Sequence, residues 1–429
     1  HCVLDFEPGI NILQGANGLG KTNIVEAVEV LSTGSSHRTS SSLPLIEKGC
    51  TSATIRANVE DDETQHTYEA TIVARGANRA RIDGGKSQYM RDLIGRTPSV
   101  SFTPEDQRLV AGDPATRRNF INQAASLLLP HYAQLLQQFT HVAKQRTALL
   151  KQLGDGTNLD PQYSQQTVLS GLEIWTGQFI DLGMRLTRER NDVIARLGEP
   201  FARIYASLAG DDERAALSYE PSFDEVMLFD DPSAEISCHF QRIYPGEVAR
   251  GQNLIGPHRD DLTLLLNDMP AREFASNGEM WTMALALKMA LYEAVSVQFE
   301  SKPIVILDDV FAQLDESRRG QILDFAMRQD QVLITVAAAS DIPQTDAVHA
   351  HVIDVAALRR QSQDGGDNDL AAMMAKHCIS TNASCPPKCS NASANAPDAT
   401  RNVRNVRGRH GRILANPDAT RRRSAIYST

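Results

Sequence analysis

Gly15-Ala16-Asn17-Gly18-Leu19-Gly20-Lys21-Thr22 matches the pattern G-x-x-x-x-G-K-[ST]. This pattern predicts a phosphate-binding loop between a strand and a helix. Its glycines let the backbone turn tightly and aim N–H groups at phosphate oxygens. A strand-like run precedes it and a helical pattern follows it, so the positive end of a helix points at the same place. The alternative, a chance match, leaves that agreement unexplained.

The motif predicts which side chains hold a nucleotide. Lys21 is expected to reach the β- and γ-phosphates of ATP, and Thr22 is expected to ligate Mg²⁺ through its hydroxyl. We expect the whole loop and the residue after it to bind the nucleotide: Gly15, Ala16, Asn17, Gly18, Leu19, Gly20, Lys21, Thr22 and Asn23.

A second motif is the apolar run Ile304–Leu307 followed by two carboxylates. Such a run is typical of a strand in a parallel sheet. Asp308, at its carboxyl end, is placed to hold Mg²⁺ directly or through water. Asp309 is the candidate to orient or deprotonate the attacking water, so Lys21, Asp308 and Asp309 form the predicted catalytic set. The alternative is a solvated acidic strand end.

A third segment, Ser276-Asn277-Gly278-Glu279, precedes a helical pattern. Alone it is a common turn, but here it resembles the S-x-G-[QE] signature loop of ABC ATPases. In that class Ser276 and the Gly278 N–H would contact the γ-phosphate held by a second subunit. Asp315 then resembles the loop that touches the opposing site, and Thr335 is a candidate γ-phosphate sensor.

The resemblance extends to one family, the bacterial RecF recombination mediators. Its residues are spread over about 1–358, and their joint order is specific. The matching blocks are Ser36-His37-Arg38-Thr39, Phe102-Thr103-Pro104-Glu105-Asp106, Leu109-Val110-Ala111-Gly112, Arg117-Arg118-Asn119-Phe120, Gly256-Pro257-His258-Arg259-Asp260-Asp261 and Leu307–Asp315.

This resemblance implies an α/β fold, an ABC-type ATPase head with a P-loop mixed sheet and a β-rich subdomain, plus an inserted helical arm. It implies slow, DNA-stimulated hydrolysis of ATP to ADP and phosphate, and a homodimer that forms on ATP. It implies binding to single-strand/duplex junctions or gapped DNA, and work with RecO and RecR to load RecA. Arg38, Arg117 and Arg118 are the candidate DNA contacts, although a charge run is often only a solvated face.

The chain divides into four parts by pattern. Residues 1–112 predict the first part of the head, with strands alternating over 53–83, and residues 113–208 predict two long helices interrupted near Pro130. Residues 209–358 predict the rest of the head, with strand-like segments near 216–265. Residues 359–429 are poor in large apolar groups and predict an Arg-rich disordered tail.

Composition sets the broad class. Apolar residues make up 41% and the net charge is -10, so any DNA contact must come from local patches. No run approaches the length of a membrane-spanning segment, and scattered cysteines suit a reducing cytoplasm. Two other readings remain open. One is a transporter subunit, which the helical insertion disfavours, and the other is an SMC-like structural DNA-binding ATPase or scaffold of a different pathway.

Overall fold

A computed structural model describes residues 2–39, 41–61, 64–154, 165–210, 213–338, 341, 349–364 and 422–428. The strands are β1 (Cys2–Asp5), β2 (Gly9–Gln14), β3 (Ser52–Asp61), β4 (Gln65–Val73), β5 (Arg79–Ile82), β6 (Gln88–Tyr89), β7 (Ser99–Phe102), β8 (Ala215–Glu220), β9 (Asp261–Leu266), β10 (Met269–Pro270), β11 (Ile304–Asp308), β12 (Gln331–Val336), β13 (Ala350–Asp354) and β14 (Arg422–Ser428). The helices are α1 (Lys21–Thr33), α2 (Arg108–Ala111), α3 (Pro114–Leu128), α4 (Tyr132–Gly154), α5 (Gln165–Ala209), α6 (Glu225–Leu228), α7 (Ser233–Arg250), α8 (Ala271–Phe274), α9 (Asn277–Phe299), α10 (Glu316–Ala326) and α11 (Val355–Asp364).

A five-stranded parallel sheet in the order β13-β2-β12-β11-β7 positions the site. Its register pairs Asp308 with Thr335 and Thr335 with Leu13. Because the strands run parallel, their carboxyl ends meet at one edge. The loop after β2 and the aspartates that end β11 therefore lie side by side. The five residues of β11 are all buried, which explains why this strand reads as a continuous apolar run.

A second sheet, antiparallel, has the order β1-β14-β3-β4-β5-β6. Helix α1 lies between the two sheets, and its buried residues Ile24, Val25, Val28 and Leu31 join a core with β3, β4 and β11. Strands β1 and β2, neighbours in sequence, belong to different sheets. The alternation over 53–83 corresponds to β3, β4 and β5. Packing against both sheets holds α1 in place, and with it Lys21 at the start of the helix.

The end of the chain differs from the sequence prediction of a disordered tail. β14 lies between β1 and β3 and pairs antiparallel with both, so its backbone N–H and C=O groups are satisfied on both sides. α11 also extends to Asp364. Residues 365–421, and with them most of the predicted tail, lie outside the described residues.

Residues 113–208, predicted as an inserted arm, contain α3, α4 and α5. The chain leaves helical structure between Leu128 and Tyr132, around Pro130, as its missing N–H requires. The predicted polar loop after Gly154 falls largely outside the described residues. The strand-like segments predicted near 216–265 correspond to β8 and β9 at the two ends of that range, whereas the 18-residue helix α7 between them was not predicted.

Helix α9 crosses the larger of the two cores. By length and composition it could span a membrane, but 78% of its most apolar stretch is buried inside the protein. Its interior positions carry Met283, Leu287 and Leu291 against the sheet and the arm. This burial is typical of a core helix, and the fold uses α9 to carry the Ser276–Glu279 loop.

Candidate functional site: a nucleotide-binding site

The loop after β2 forms a tight cradle at the start of α1. Gly20 caps the helix with a φ of 98°, a left-handed conformation that favours glycine. The Gly15 N–H donates to the Val336 carbonyl across 3.2 Å, which joins the loop to the end of β12. α1 begins at Lys21, so its unpaired N–H groups and its positive end face the loop. An anion is the ligand that this geometry favours.

Lys21 supplies the mobile charge of the cradle. The residue is only 4% exposed, and its Nζ donates to the Gly15 carbonyl at 2.7 Å. Longer contacts of 3.4 Å reach the Ala16 carbonyl and the Asn17 Oδ1. The ammonium thus lies within the loop whose N–H groups would hold phosphate oxygens, and its contacts are to neutral oxygens. A phosphate would replace these by stronger, charge-assisted bonds.

Thr22 and Asp308 meet at the edge of the sheet. The Thr22 hydroxyl donates to Asp308 Oδ1 across 3.2 Å, although 286 positions separate the two residues. Burial raises the pKa of Asp308 above its usual value, which hydrogen bonds from Thr335 and Thr22 oppose. A divalent cation beside this carboxylate would relieve the cost of burying its charge.

The oxygen donors fit Mg²⁺. Hydroxyl and carboxylate oxygens are the ligands that Mg²⁺ takes, with phosphate and water completing its shell. The described residues contain no group of three or more His, Cys, Asp or Glu side chains that could hold a metal alone. Thr22 and Asp308 would therefore hold Mg²⁺ together with the nucleotide rather than before it.

Thr335 connects the two aspartates, which the sequence did not suggest. Its hydroxyl donates to Asp308 Oδ1 at 2.6 Å and accepts from the Asp309 N–H at 2.9 Å. It is fully buried at the centre of the parallel sheet. The predicted role of Thr335 was γ-phosphate sensing, whereas its contacts in the structure orient Asp308 and the backbone of Asp309.

Asp309 follows the strand in an unusual conformation. Its φ is 52°, in the left-handed region that a non-glycine residue seldom adopts. Asp309 is half-buried, and a 3-10 turn, Val310–Gln313, begins directly after it. Backbone strain of this kind costs on the order of 1–3 kcal/mol and is commonly kept at functional sites. The turn places a second carboxylate beside Asp308 at the nucleotide edge.

Two acidic residues of α1 hold the loop that contains His37 and Arg38. His37 Nδ1 lies 2.6 Å from Glu29 Oε2. Burial lowers the pKa of His37, but the hydrogen bond and charge of the Glu29 carboxylate outweigh burial and raise that pKa overall. Arg38 donates to Glu26 at 3.0 Å and to Asn23 at 3.3 Å. Glu26 and Glu29 are three positions apart on α1, so the two pairs lie on one face of the helix. The sequence shows this spacing, but it was not among the predicted features.

Arg38 thus lies beside the phosphate loop, with its side chain 48% exposed. Its place against Asn23 is compatible with contact to a nucleotide, and its exposure is compatible with contact to DNA. Arg38 therefore stays the exposed member of the three arginines predicted to contact DNA.

Arg117 does not fit the predicted role of a DNA contact. Its guanidinium is buried and donates to both carboxylate oxygens of Asp261, at 2.7 and 2.8 Å, and to the Gly112 carbonyl. Arg118 is half-buried and donates to the Asp260 carbonyl. The reason is tertiary: Asp260 directly precedes β9 and Asp261 begins it, and this strand packs against α3. A sequence cannot show that a charge run faces a carboxylate more than a hundred positions away.

The signature-like loop and Asp315 are exposed at the ends of helices. Ser276 caps α9, accepting a 3.3 Å bond from the Glu279 N–H, while the Glu279 carboxylate accepts from the Ser276 N–H. Asp315 caps α10 in the same way through the Arg318 N–H. Within the part of the chain that the structure describes, no hydrogen bond joins Ser276 or Gly278 to the phosphate loop. One subunit thus carries the two sets of groups without bringing them together.

A phosphate loop and an Asp308–Asp309 strand end on one parallel sheet, with a capped S-x-G-E loop elsewhere on the surface, define the class: an ABC-type ATPase head. The family model described as "RecF/RecN/SMC N terminal domain" matches residues 1–355. The chain belongs to the RecF family.

Relatives and solved structures agree with that assignment. "DNA replication and repair protein RecF" of Bifidobacterium adolescentis is 82% identical over 375 residues, covering 87% of this chain and 92% of that protein. The protein of the same name from Bifidobacterium longum subsp. infantis is 69% identical, covering 83% and 86%. A solved structure, "Structure of the recombination mediator protein RecF-ATP in RecFOR pathway", is 25% identical with a TM-score of 0.70, covering 79% of this chain and 88% of that one. The predicted fold class is confirmed.

Proposed function

We propose that this chain is an ATP-driven recombination mediator of the RecF type, acting in DNA repair and replication restart. It binds ATP with Mg²⁺, dimerises in the ATP state and hydrolyses ATP slowly. It binds single-strand/duplex junctions or gapped DNA in the cytoplasm, and with RecO and RecR it helps to load RecA. The observation that carries the proposal is the bonded set Thr22–Asp308–Thr335 beside Lys21.

Each residue at the phosphate-binding edge has a separate role in the hydrolysis of ATP. Lys21 and the loop N–H groups hold the phosphate oxygens, where charge builds up during transfer of the γ-phosphoryl group. Thr22 and Asp308 would hold Mg²⁺, which would neutralise part of that charge when bound. Asp309 accepts a hydrogen bond from the attacking water and orients it. Because aspartate is one methylene shorter than the glutamate of many ABC ATPases, slow turnover is expected.

Dimerisation follows from the separation of the two sets of groups. In this class Ser276 and Gly278 of one subunit complete the site of the other, and Asp315 touches the opposing site. A two-fold pair would then enclose two ATP molecules between reciprocal surfaces. The γ-phosphate makes contacts that exist only in the closed pair, which is what a ligand needs to shift an equilibrium. Hydrolysis removes those contacts and reopens the pair.

DNA binding relies on local positive charge, since the whole chain carries a net charge of -10. Arg38 is the candidate retained from the head because its side chain is 48% exposed, and Arg118 is a weaker one because it is half-buried. Residues 395–429 carry eight arginines and two aspartates, and would add salt-sensitive affinity for DNA by counterion release.

The ATPase rate measured with and without gapped DNA tests the proposal. The full chain should hydrolyse ATP slowly, and gapped DNA should accelerate it, while Lys21→Met should be inactive in both conditions. The second candidate is an SMC-like structural ATPase or scaffold of a different pathway. That protein would bind DNA without preference for a junction, so equal stimulation by gapped and blunt duplex DNA would favour it.

A further inference from the structure

Arg318, in the first turn of α10, contacts the two exposed loops at once. Its N–H donates to Asp315 Oδ1 at 2.9 Å, and its guanidinium forms an ion pair with the other oxygen of that carboxylate. On its other side, Nε lies 3.4 Å from the hydroxyl of Thr282, in the second turn of α9. The side chain is 30% exposed. A single planar group thus joins the start of α10 to the start of α9.

The guanidinium also lies against the signature glycine. A Cβ atom added to Gly278 would be only 2.8 Å from Arg318 Nη2. Gly278 lies in the first turn of α9, where the backbone is helical and any residue could adopt it. The backbone angle would therefore accept alanine here, but its methyl group would push the Arg318 guanidinium out of its present position. We call the contacts of Arg318 with Asp315, Thr282 and Gly278 the Arg318 bridge.

The Arg318 bridge contributes little to the stability of the fold as an ion pair. Arg318 and Asp315 are separated by three positions on the surface, and exposed pairs of this kind are weak. What the bridge changes is geometry. A guanidinium presents several donors in one fixed plane, so it can hold two partners at a set distance, which a single ammonium cannot do.

We infer that Arg318 is a positioning residue for ATP-dependent dimerisation, holding Asp315 and the Ser276–Gly278 loop as one surface that meets the nucleotide of the second subunit. This inference rests on the proposed function, in which those two loops act across the dimer. Loops already ordered in the free subunit lose less conformational freedom on association, so the bridge lowers the cost of closing the pair.

Hydrogen exchange in the free subunit tests the bridge without any dimer. The full chains of the wild type, Arg318→Ala and Arg328→Ala are compared in the absence of nucleotide. Arg328, also exposed, bonds only near its own helix end, to the Asp324 carbonyl, and serves as the matched control. Arg318→Ala should speed exchange of the amides of residues 276–280, and Arg328→Ala should not. Equal protection in all three chains would overturn the inference.

A double-mutant cycle tests the consequence for dimerisation. In the slow Asp309→Asn background with saturating ATP and Mg²⁺, the dimer dissociation constant is measured by analytical ultracentrifugation. Arg318→Ala and Gly278→Ala should each raise it about tenfold, since either change breaks the bridge. The double variant should be little worse than either single variant, while monomeric Arg318→Ala binds ATP as the parent does.

Additive effects would show that Arg318 and Gly278 act independently of each other, which contradicts the bridge. An unchanged dissociation constant in Arg318→Ala would contradict it as well. If the parent itself stays monomeric with ATP, the proposed dimer mechanism fails, and the hydrogen-exchange result still decides whether the bridge orders the loop.

Discussion

The phosphate-binding edge and the signature surface of this molecule are built in different ways. At the phosphate-binding edge, Lys21, Asp308 and Thr335 are buried and held by the register of a parallel sheet. At the signature surface, Ser276 and Asp315 are exposed and held by helix caps and one surface ion pair. The first region brings its side chains together within one subunit, and the second is ordered but has no hydrogen bond to the phosphate loop among the described residues.

This difference indicates that the two regions control different steps: the phosphate-binding edge controls ATP binding and hydrolysis, and the signature surface controls dimerisation. A buried, register-fixed site is pre-organised for a ligand, so changes there should alter ATP binding and chemistry within one subunit. Changes in an exposed surface that is held by weak local contacts should alter dimerisation and leave the monomer's affinity for ATP intact. Variants in each region can therefore separate binding, turnover and dimerisation.

The largest effect is expected from Lys21→Met. Removing the ammonium while keeping a similar shape should weaken ATP binding at least ~100-fold, which corresponds to about 2.7 kcal/mol. Titration calorimetry with ATP and Mg²⁺ measures the change, and Lys48→Met, at an exposed position away from the loop, is the control. Wild-type affinity in Lys21→Met would remove Lys21 from the site.

Asp309→Asn should separate binding from turnover inside the buried region. Asp308 and Thr22 remain to hold Mg²⁺, so ATP affinity should stay within about twofold. Hydrolysis should slow ~10²-fold, because the amide cannot act as a base for the water. Single-turnover measurement of phosphate release decides it. Unchanged turnover would place the base elsewhere.

Ser276→Arg should break the exposed region alone. The new charge and bulk lie where the second subunit is expected, so ATP-dependent dimerisation should weaken at least ~10-fold, about 1.4 kcal/mol. The monomer should bind ATP normally. Analytical ultracentrifugation in the Asp309→Asn background is the measurement, with Ser170→Arg, at an exposed position of α5, as a surface control. A Ser276→Arg chain that dimerises as the parent does would contradict the assignment.

Thr335→Val tests whether the buried hydroxyl at the phosphate-binding edge contributes to hydrolysis. It removes the hydroxyl that orients Asp308 and the Asp309 N–H and leaves a buried side chain of similar size. We expect hydrolysis to fall several-fold, up to about tenfold, which corresponds to the roughly 0.5–1.5 kcal/mol of a typical hydrogen bond. Thr335→Ser keeps the hydroxyl and should retain most of the rate. Equal loss in both variants would point to packing instead.

The smallest effect is expected from the end of the chain. Deleting residues 422–429 removes β14 from between β1 and β3 and should lower the melting temperature by a few degrees, with the ATPase rate unchanged. An internal deletion of residues 370–410 keeps β14 and is the control. Thermal unfolding by circular dichroism compares the two. Equal stability of both chains would show that β14 adds nothing to the sheet.

The candidate site was readable from the sequence wherever its chemistry lies in one continuous segment. The loop around Lys21, the strand ending in Asp308 and the cap at Ser276 each need only their neighbours in the chain, since local pattern determines a turn, a buried strand or a helix start. The helices α4 and α5 and the interruption at Pro130 were predictable for the same reason.

Tertiary structure decided the rest. The strand order alone places the Thr335 hydroxyl between two aspartates, and the packing of α3 against β9 turns Arg117 inward to Asp261. Helix α7 lies between β8 and β9, where the sequence had indicated only strand-like segments. β14 pairs with β1 and β3, which come from the start of the chain. The sequence alone predicted the phosphate-binding loop and the aspartate that we propose holds Mg²⁺, because each depends on adjacent residues. Only the fold determined which charges are buried in pairs and which remain free for a partner, because those contacts join residues far apart in the chain.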